Sequence, residues 1–233
     1  MPKIENNIAD VSKRIDQCAA EYGRDPGEIL LLAVSKTRPV GDIRQAMGAG
    51  QTHFAENYLQ EALDKIAQLE GENLCWHFIG PLQSNKTRSA AEHFSWVHSV
   101  DRLKIAQRLN DQRPQSLGPL YICLQVNIDN EPSKSGFAAD ALLPIALQIA
   151  QLPNLRLRGL MAIPRGSNSF QEQQAAFYKL DQLREQINQS LDNSEKLDTL
   201  SMGMSGDLEA AISQGSTMVR VGTDIFGKRE QQQ

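Results

Sequence analysis

The sequence predicts an α/β protein that folds as a single (β/α)8 TIM barrel with an extra N-terminal helix. Strand-like runs alternate with helix-like segments along the chain, which is typical of a parallel sheet built from βαβ units. The length of 233 residues suits a TIM barrel, whose usual size is roughly 250 residues. An open doubly wound sheet is the alternative, but no G-x-G-x-x-G or Walker A sequence follows the first strand-like run.

The strands are predicted from short apolar runs. The first run is so apolar that we expect it to be buried on both faces, as the strands of a parallel sheet are. The eight predicted strands are Ile29–Lys36, His53–Asn57, Cys75–Gly80, Trp96–Val100, Leu120–Ile128, Leu155–Ile163, Leu197–Gly203 and Met218–Phe226.

Amphipathic helices are predicted between these strands. The first of them ends at Gly50, a residue type that commonly terminates helices. Another helix precedes the first strand, and we expect it to pack on the barrel. The apolar faces consist of Ile4, Ile8, Val11, Ile15 and Ala19; Val40, Ile43, Ala46 and Met47; Leu59, Leu63, Ile66 and Leu69; Leu103, Ile105, Ala106 and Leu109; Leu142, Ile145, Leu147 and Ile149; and Phe177, Leu180, Leu183 and Ile187.

One domain is predicted to span residues 1–233. Residues 1–27 are expected to form the N-terminal helix and its lead-in, residues 28–227 the barrel, and residues 228–233 a short tail. Because so few residues follow Phe226, we expect no second domain after the barrel.

The composition excludes several classes of protein. With 40% hydrophobic and 22% charged residues, the chain has the make-up of an ordinary globular domain. A net charge of -4 without a long charge run argues against a nucleic-acid partner. No apolar stretch approaches the ~20 residues of a membrane span, and the N-terminus is too polar for a secretory signal. We therefore expect a cytoplasmic monomer that binds neither nucleic acid nor membrane.

The cysteines and histidines do not form a recognisable sequence pattern. The cysteines are far apart and in apolar surroundings, which indicates buried thiols in a reducing cytoplasm and neither a disulfide framework nor a zinc motif. The histidines are also dispersed, so we predict no metal site, and we expect His77 to be a satisfied core residue. These residues are Cys18, Cys75 and Cys123, and His53, His77, His93 and His98.

Lys36 ends the first predicted strand. At the carboxyl end of a buried strand, its ammonium group would reach the mouth of the barrel partly desolvated. Desolvation lowers a lysine pKa and frees the amine for Schiff-base chemistry. On position alone, a lysine that merely ends a strand and extends into solvent is the more common case.

Two glycine-containing loops follow the last two strands, where TIM barrels often bind phosphate. They span residues 202–207 and 220–224, and both combine glycine with a hydroxyl residue that can donate to an anion. Ser205 also stands where a helix begins, so it is either an N-cap, an anion ligand, or both. Asp207 and Glu209 count against a phosphate unless they face outward.

Arg220 lies on the same face of the last strand as Gly222, two residues later. If that face points inward, a guanidinium lies inside the barrel and needs an acceptor. Position alone favours an internal ion pair with a carboxylate over a ligand contact. Asn57, with Gln60 three residues on, matches a capping box, so we expect capping to be its main role and ligand contact a secondary one.

Six segments together resemble the pyridoxal phosphate homeostasis (YggS/PROSC) family. They follow in order over nearly the whole chain, so a chance match is improbable. One departure is Ala55, where the family usually has glycine. The matching segments are residues 32–37 (LAVSKT), 56–58 (ENY), 76–86 (WHFIGPLQSNK), 159–164 (GLMAIP), 200–205 (LSMGMS) and 219–227 (VRVGTDIFG).

The resemblance implies a barrel similar to the N-terminal domain of alanine racemase, with pyridoxal 5′-phosphate (PLP) held by Lys36 as an internal aldimine. It further implies that Ser205, Gly222 and Thr223 bind the phosphate. Arg220 would face the pyridine nitrogen, and since arginine does not readily give up a proton, the ring would be a weak electron sink. The cofactor-binding residues expected from these arguments are Lys36, Asn57, Met204, Ser205, Arg220, Gly222 and Thr223.

The resemblance favours a PLP carrier that buffers the cofactor or transfers it to apo PLP-dependent enzymes. A PLP-dependent racemase is the main alternative, but such racemases take a second base, a tyrosine, from an additional C-terminal domain. We expect no such domain and assign no catalytic residue here. A Schiff-base aldolase without cofactor is a third interpretation.

Overall fold

The computed structural model describes residues 4–228, and within that range parallel strands close into a barrel of eight. Each strand pairs with its sequence neighbours, and the last pairs with the first. The predicted TIM barrel is confirmed. The strands are β1 (Leu30–Val34), β2 (His53–Glu56), β3 (Cys75–Phe78), β4 (Trp96–Val100), β5 (Leu120–Gln125), β6 (Leu155–Met161), β7 (Thr199–Ser201) and β8 (Met218–Val221).

The helices surround the barrel and were predicted at most positions. The helix Thr87–His93 was not predicted. Its buried face includes the small residues Ala90 and Ala91, which give only a weak periodic pattern of hydrophobicity in the sequence. Most of the predicted tail, residues 229–233, lies outside the described residues. The helices are α1 (Ile4–Glu21), α2 (Val40–Gly48), α3 (Leu59–Gln68), α4 (Thr87–His93), α5 (Leu103–Gln112), α6 (Leu142–Ala150), α7 (Phe170–Asn188), α8 (Leu208–Ser213) and α9 (Thr223–Phe226).

The N-terminal helix α1 packs on the outside of the barrel, as predicted. It contacts α2, α8 and α9, and it buries the apolar face that the sequence indicates. Arg14 of α1 forms ion pairs with Glu209 (2.8 Å) and Asp224 (2.7 Å). These pairs join α1 to the two segments that follow β7 and β8. No helix among residues 4–228 is both long enough and apolar enough to span a membrane.

Strand β4 ends at Val100, as predicted, but the other seven strands end earlier than the sequence predicts. β1 ends at Val34, so Lys36 lies in the turn after the strand. β8 ends at Val221, and the predicted extension of this strand to Phe226 is wrong, because Thr223–Phe226 forms the helical turn α9. A short apolar run such as Ile225-Phe226 does not distinguish a strand from a helix by periodicity.

The barrel interior contains both apolar clusters and buried polar side chains. We call the carboxyl ends of the strands the upper mouth and their amino ends the lower mouth. An apolar cluster around Trp96 and Met218 lies towards the lower mouth, and another around Leu32 and Val34 lies towards the upper mouth. The interior also contains buried polar side chains, which are those of His77, His98, Ser201 and Arg220.

Candidate functional site

A cavity of about 250 Å³ lies at the upper mouth. All seven residues that the sequence predicts for a cofactor site line its wall, although they come from four separate parts of the chain. The lining also includes Arg38, Ile79 and Ile163. The predicted residues in the wall are Lys36, Asn57, Met204, Ser205, Arg220, Gly222 and Thr223.

The turn that carries Lys36 has a strained backbone. Thr37 has φ of 63°, and β-branched residues rarely adopt this left-handed conformation. Its backbone N–H donates to the carboxylate of Glu61 on α3. On the other side of the lysine, the buried hydroxyl of Ser35 donates to Glu56 (2.7 Å). Lys36 itself is half-buried, and hydrogen bonds anchor its turn on both sides.

A buried ion cluster supports this turn from below, and sequence reasoning missed it. Lys65 of α3 is buried, and its Nζ donates to the Ser35 carbonyl (2.7 Å), to Glu56 (2.7 Å) and to Glu61. Burial raises the pKa of Glu56, although hydrogen bonds from Lys65 and Ser35 act in the opposite direction. The sequence did contain one sign that Lys65 is buried: it follows Ala62 by three residues and so lies on the same face of α3.

Asn57 does not cap α3, so the capping-box prediction is wrong. Tyr58 occupies the N-cap position without a side-chain hydrogen bond, and Gln60 donates to Asp64 instead. Within the described part of the chain, Asn57 Oδ1 is buried and has no hydrogen-bond partner. An unsatisfied buried polar atom costs about 1–3 kcal/mol. An orphaned amide in a cavity wall is therefore a group that a ligand could satisfy.

The loop after β7 is held by a hydrogen bond to the side chain of Asp207, at its own end. Asp207 Oδ1 accepts a hydrogen bond from the Met204 backbone N–H (2.6 Å), and Gly203 has φ of 94°. Asp207, not Ser205, occupies the N-cap position of α8, so the N-cap role that we considered for Ser205 is wrong. Ser205 is left partly buried in the cavity wall.

The two acids near this loop are both engaged in local interactions. Glu209 pairs with Arg14 on the outside of the barrel, while burial raises the pKa of Asp207. In the loop after β8, a Cβ at Gly222 would lie 3.2 Å from the Val34 carbonyl oxygen. Glycine therefore lets this loop pass close to the end of β1.

Arg220 lies inside the barrel, one of the two placements that the sequence left open, and it forms no ion pair with any residue in the range 4–228, although position alone favours one. Its Nη1 donates to the carbonyl and to the hydroxyl (2.9 Å) of Ser201, and its Nη2 donates to the Ala162 carbonyl (3.0 Å). None of these acceptors is a carboxylate. Burial lowers the pKa of Arg220 to about 10, so the guanidinium remains charged at neutral pH and its charge is not neutralised by these acceptors.

A chain of histidines connects Arg220 with the lower mouth. His98 Nδ1 lies 2.8 Å from Ser201 Oγ, His77 Nδ1 lies 2.9 Å from His98 Nε2, and His53 Nδ1 lies 3.0 Å from His77 Nε2. Burial lowers the pKa of His98 to about 3 and also lowers that of His77. These rings are therefore neutral, and the expectation that His77 is a satisfied core residue is confirmed.

The histidines are not dispersed in space, contrary to the sequence-based expectation. The barrel brings three of them together, because β2, β3 and β4 are neighbours and their inward faces align. Cys75 joins them: its Sγ and the ring nitrogens of His53 and His77 lie within 4.8 Å of one another. Sequence spacing therefore did not reveal that these side chains meet, and the prediction of no metal site stays a prediction. Only His93, exposed on α4, fits the expectation of dispersed histidines.

Comparison with known proteins identifies relatives over the full length of the chain. The profile of the family described as "Alanine racemase, N-terminal domain" matches residues 4–230. A pyridoxal phosphate homeostasis protein of Pseudomonas aeruginosa is 58% identical over 230 residues, which is 99% of this chain and 97% of the relative. The protein of the same name from Escherichia coli K12 is 51% identical over 99% of this chain and 98% of its own length.

Solved structures also match most of this chain. PipY of Synechococcus elongatus, determined with PLP bound, is 39% identical and has a TM-score of 0.81, covering 91% of this chain and 100% of that one. Alanine racemase of Clostridium difficile has a TM-score of 0.72 at 14% identity and covers 98% of this chain and 57% of that one. This second likeness concerns the fold alone.

Proposed function

We propose, from the premise that this chain belongs to the pyridoxal phosphate homeostasis protein family, that the upper-mouth cavity is its PLP site and that the protein buffers the cofactor or hands it over. The observation that carries the proposal is the meeting of Lys36, the two glycine loops and Arg220 around one cavity. When bound, the cofactor supplies an aldehyde that reacts reversibly with amines.

The residues present fit this cofactor. Lys36 offers the amine that would hold the aldehyde. Ser205, Gly222 and Thr223 stand in the loops where TIM barrels often bind phosphate. Arg220 presents a buried positive charge that would face the pyridine nitrogen and keep it unprotonated. The orphaned Asn57 amide has room for a polar ligand contact that the protein itself does not provide.

The test of the site is chemical labelling of its lysine. Borohydride reduction of the purified protein, followed by peptide mass analysis, should place the phosphopyridoxyl group on Lys36, and Lys36→Ala should abolish labelling. Lys134→Ala is the matched control, because that lysine pairs with Asp129 (3.1 Å) near the same mouth but does not line the cavity. Recovery of the label mainly on Lys86 or Lys134 would contradict the assignment.

The cavity wall favours a carrier over an enzyme. The family is named for homeostasis of the cofactor and not for a reaction. Among the lining residues that the structure describes, the basic side chains are the amine of Lys36 and the guanidinium groups of Arg38 and Arg220. Of these, Lys36 is the one that can act as an ordinary base. Two-base racemisation needs a second proton acceptor on the opposite face of the substrate. A permanently protonated arginine at the ring nitrogen also disfavours carbanion chemistry.

Turnover measurements separate the carrier from the racemase. Holo-protein incubated with L-amino acids in deuterated water should show no substantial product formation, and it should release PLP to an added apo-enzyme. Racemisation, decarboxylation or transamination at about 1 s⁻¹ or faster would rule the carrier out. Arg220→Glu provides a contrast, because a carboxylate there should keep the ring nitrogen protonated and raise side reactions in a variant that retains the cofactor.

We extend the proposal to partners and location. The cysteines Cys18, Cys75 and Cys123 are free thiols, as expected of a protein in the reducing cytoplasm. Exposed apolar side chains near the cavity, Met204 and Ile163, offer a surface for an apo PLP-dependent enzyme that receives the cofactor.

We propose that the chain acts as a single-domain monomer, which light scattering of the purified protein would test.

A further inference from the structure

We propose that the lower mouth of the barrel holds a second site, which binds a metal ion of the zinc class through His53, Cys75 and His77. The ligand atoms of these three residues lie within 4.8 Å of one another. The backbone determines this arrangement. His53 lies directly opposite Cys75 in the pairing of β2 with β3, and His77, two residues after Cys75, shares the same face of β3.

The distance between the two imidazoles already approaches that of a metal complex. His53 Nδ1 and His77 Nε2 are 3.0 Å apart. Two nitrogens bound at about 2.0–2.1 Å in a tetrahedral zinc site lie roughly 3.3 Å from each other. When a metal ion replaces the proton that the rings share, the two nitrogens therefore move apart by a few tenths of an ångström, and the rings turn so that both nitrogen lone pairs point at the ion. The corresponding nitrogen–sulfur separation is roughly 3.6 Å, so the Cys75 thiol moves by about 1 Å at most.

The ligand types select the class of metal. Two imidazoles and a thiolate suit zinc and copper(I) and are poor ligands for magnesium or calcium, which prefer oxygen. Three protein ligands leave a fourth position for water or another small ligand. His53 and Cys75 are half-buried whereas His77 is fully buried, so an ion would approach from the lower mouth and meet these two side chains first.

The surroundings of His77 match those of metal-binding histidines elsewhere. Such a histidine usually donates its second N–H to a neighbouring acceptor, which sets the orientation of the ring. His77 Nδ1 is 2.9 Å from His98 Nε2. The ring also stacks on Trp96, with centroids 5.6 Å apart and planes inclined by 13°. The ring is therefore held in place on two sides, with Nε2 directed towards His53.

Metal binding would reverse the hydrogen bonds of the histidine chain. Arg220 can only donate to Ser201 Oγ. The Ser201 hydroxyl can accept from Arg220 and still donate its own hydrogen to His98 Nδ1. In the metal-free arrangement that we assign it does so, and both His98 and His77 carry their proton on Nε2. With a metal on His77 Nε2, both rings carry the proton on Nδ1 instead, and His98 donates to Ser201. The rings gain or lose no proton, and one proton is released per ion, from the Cys75 thiol.

The test uses cobalt(II) as a spectroscopic probe for the zinc class. Full-length protein freed of metal with a chelator should bind one Co²⁺ with a thiolate-to-cobalt absorption band, and Zn²⁺ should displace it. Cys75→Ser should abolish the band, and His53→Gln should weaken binding at least about tenfold. Cys18→Ser and His93→Gln are the matched controls and should bind like the parent. Absence of the band in the parent, or unchanged binding in Cys75→Ser, overturns the proposal.

A second measurement does not depend on substituting buried residues. Long-range ¹H–¹⁵N correlation spectra should show the proton of His98 on Nε2 without metal and on Nδ1 after one equivalent of Zn²⁺. The Cys75→Ser variant should show no such change. If Zn²⁺ binds but the His98 spectrum stays the same, the ion lies elsewhere and the proposal fails. Labelling of Lys36 is independent of either result.

Discussion

The two mouths of the barrel differ in how their polar side chains are satisfied. At the upper mouth, Asn57 Oδ1 has no partner among residues 4–228, and Arg220 is charged but bonded to neutral acceptors. At the lower mouth, the guanidinium of Arg158 pairs with both carboxylate oxygens of Asp198 and lies over the ring of Trp96. The unsatisfied Asn57 oxygen and the unneutralised Arg220 charge support a cofactor site at the upper mouth, whereas the Arg158–Asp198 pair contributes to stability.

Cavity size alone points to the lower mouth, opposite to the proposed cofactor site. The recess at the lower mouth, with about 870 Å³, is larger than the upper cavity of about 250 Å³. Its wall contains Arg184, which pairs with Asp181 and Glu185, and Arg158, which pairs with Asp198. The chemistry of the lining and not the volume supports the proposed cofactor site at the upper mouth, where the carboxyl ends of the strands form the sites of TIM barrels.

The largest effect is expected from breaking the ion cluster beneath the upper mouth. Lys65→Met leaves the buried Glu56 without its cation, and losing one partner of a buried pair costs about 3–5 kcal/mol. Urea unfolding should show this loss, and PLP affinity should fall as well because the Lys36 turn loses its anchor. The double variant Lys65→Met/Glu56→Leu should recover much of the stability. If Lys65→Met unfolds like the parent, the cluster is not a structural support.

A smaller effect, limited to ligand binding, is expected from the phosphate loops. Ser205→Ala and Thr223→Ala should each weaken PLP retention about tenfold or more, since a charge-assisted hydrogen bond contributes about 1.5–3 kcal/mol. The unfolding midpoint of the apoprotein should not change. Ser213→Ala is the control, because that hydroxyl donates to the Ala210 carbonyl (2.8 Å) outside the cavity. Parent-like retention in both loop variants would place the phosphate elsewhere.

The smallest effect is expected at the lower mouth. Asp198→Asn should reduce stability by about 1 kcal/mol or less, because the pair with Arg158 is partly exposed and screened by solvent. PLP affinity should be unchanged. An equal loss of PLP affinity would contradict the separation of the two mouths.

The Asp198 effect should depend on pH. Burial raises the pKa of Asp198, but hydrogen bonds from Arg158 and Thr199 outweigh it and lower the pKa overall. The folded state then binds the proton less tightly than the unfolded state. The contribution is therefore complete above the ordinary aspartate pKa of about 3.9 and is lost as the pH falls through the folded value. The difference between parent and Asp198→Asn in urea unfolding should shrink below about pH 4.

The sequence determined the barrel and most of the upper mouth. The hydrophobic pattern of each strand and helix shows which of its own residues are buried. The alternation of these elements therefore identifies the fold without knowledge of distant contacts. Because all parallel strands end at the same mouth, position at or just after the end of a strand was sufficient to place Lys36, Ser205 and Arg220 around one cavity. Local patterns failed where two structures share one pattern, as in the capping box proposed for Asn57 and the strand proposed for Ile225-Phe226.

Only the tertiary structure decided which polar groups meet inside the barrel. His98 and Ser201 are 103 positions apart, and His53 and His77 are 24 apart. Their contacts depend on the register between strands and on closure of the barrel, and neither property appears in the spacing of residues along the chain. For the same reason, the partners of Lys65 and the orphaned amide of Asn57 became visible only once the strands and helices were packed together.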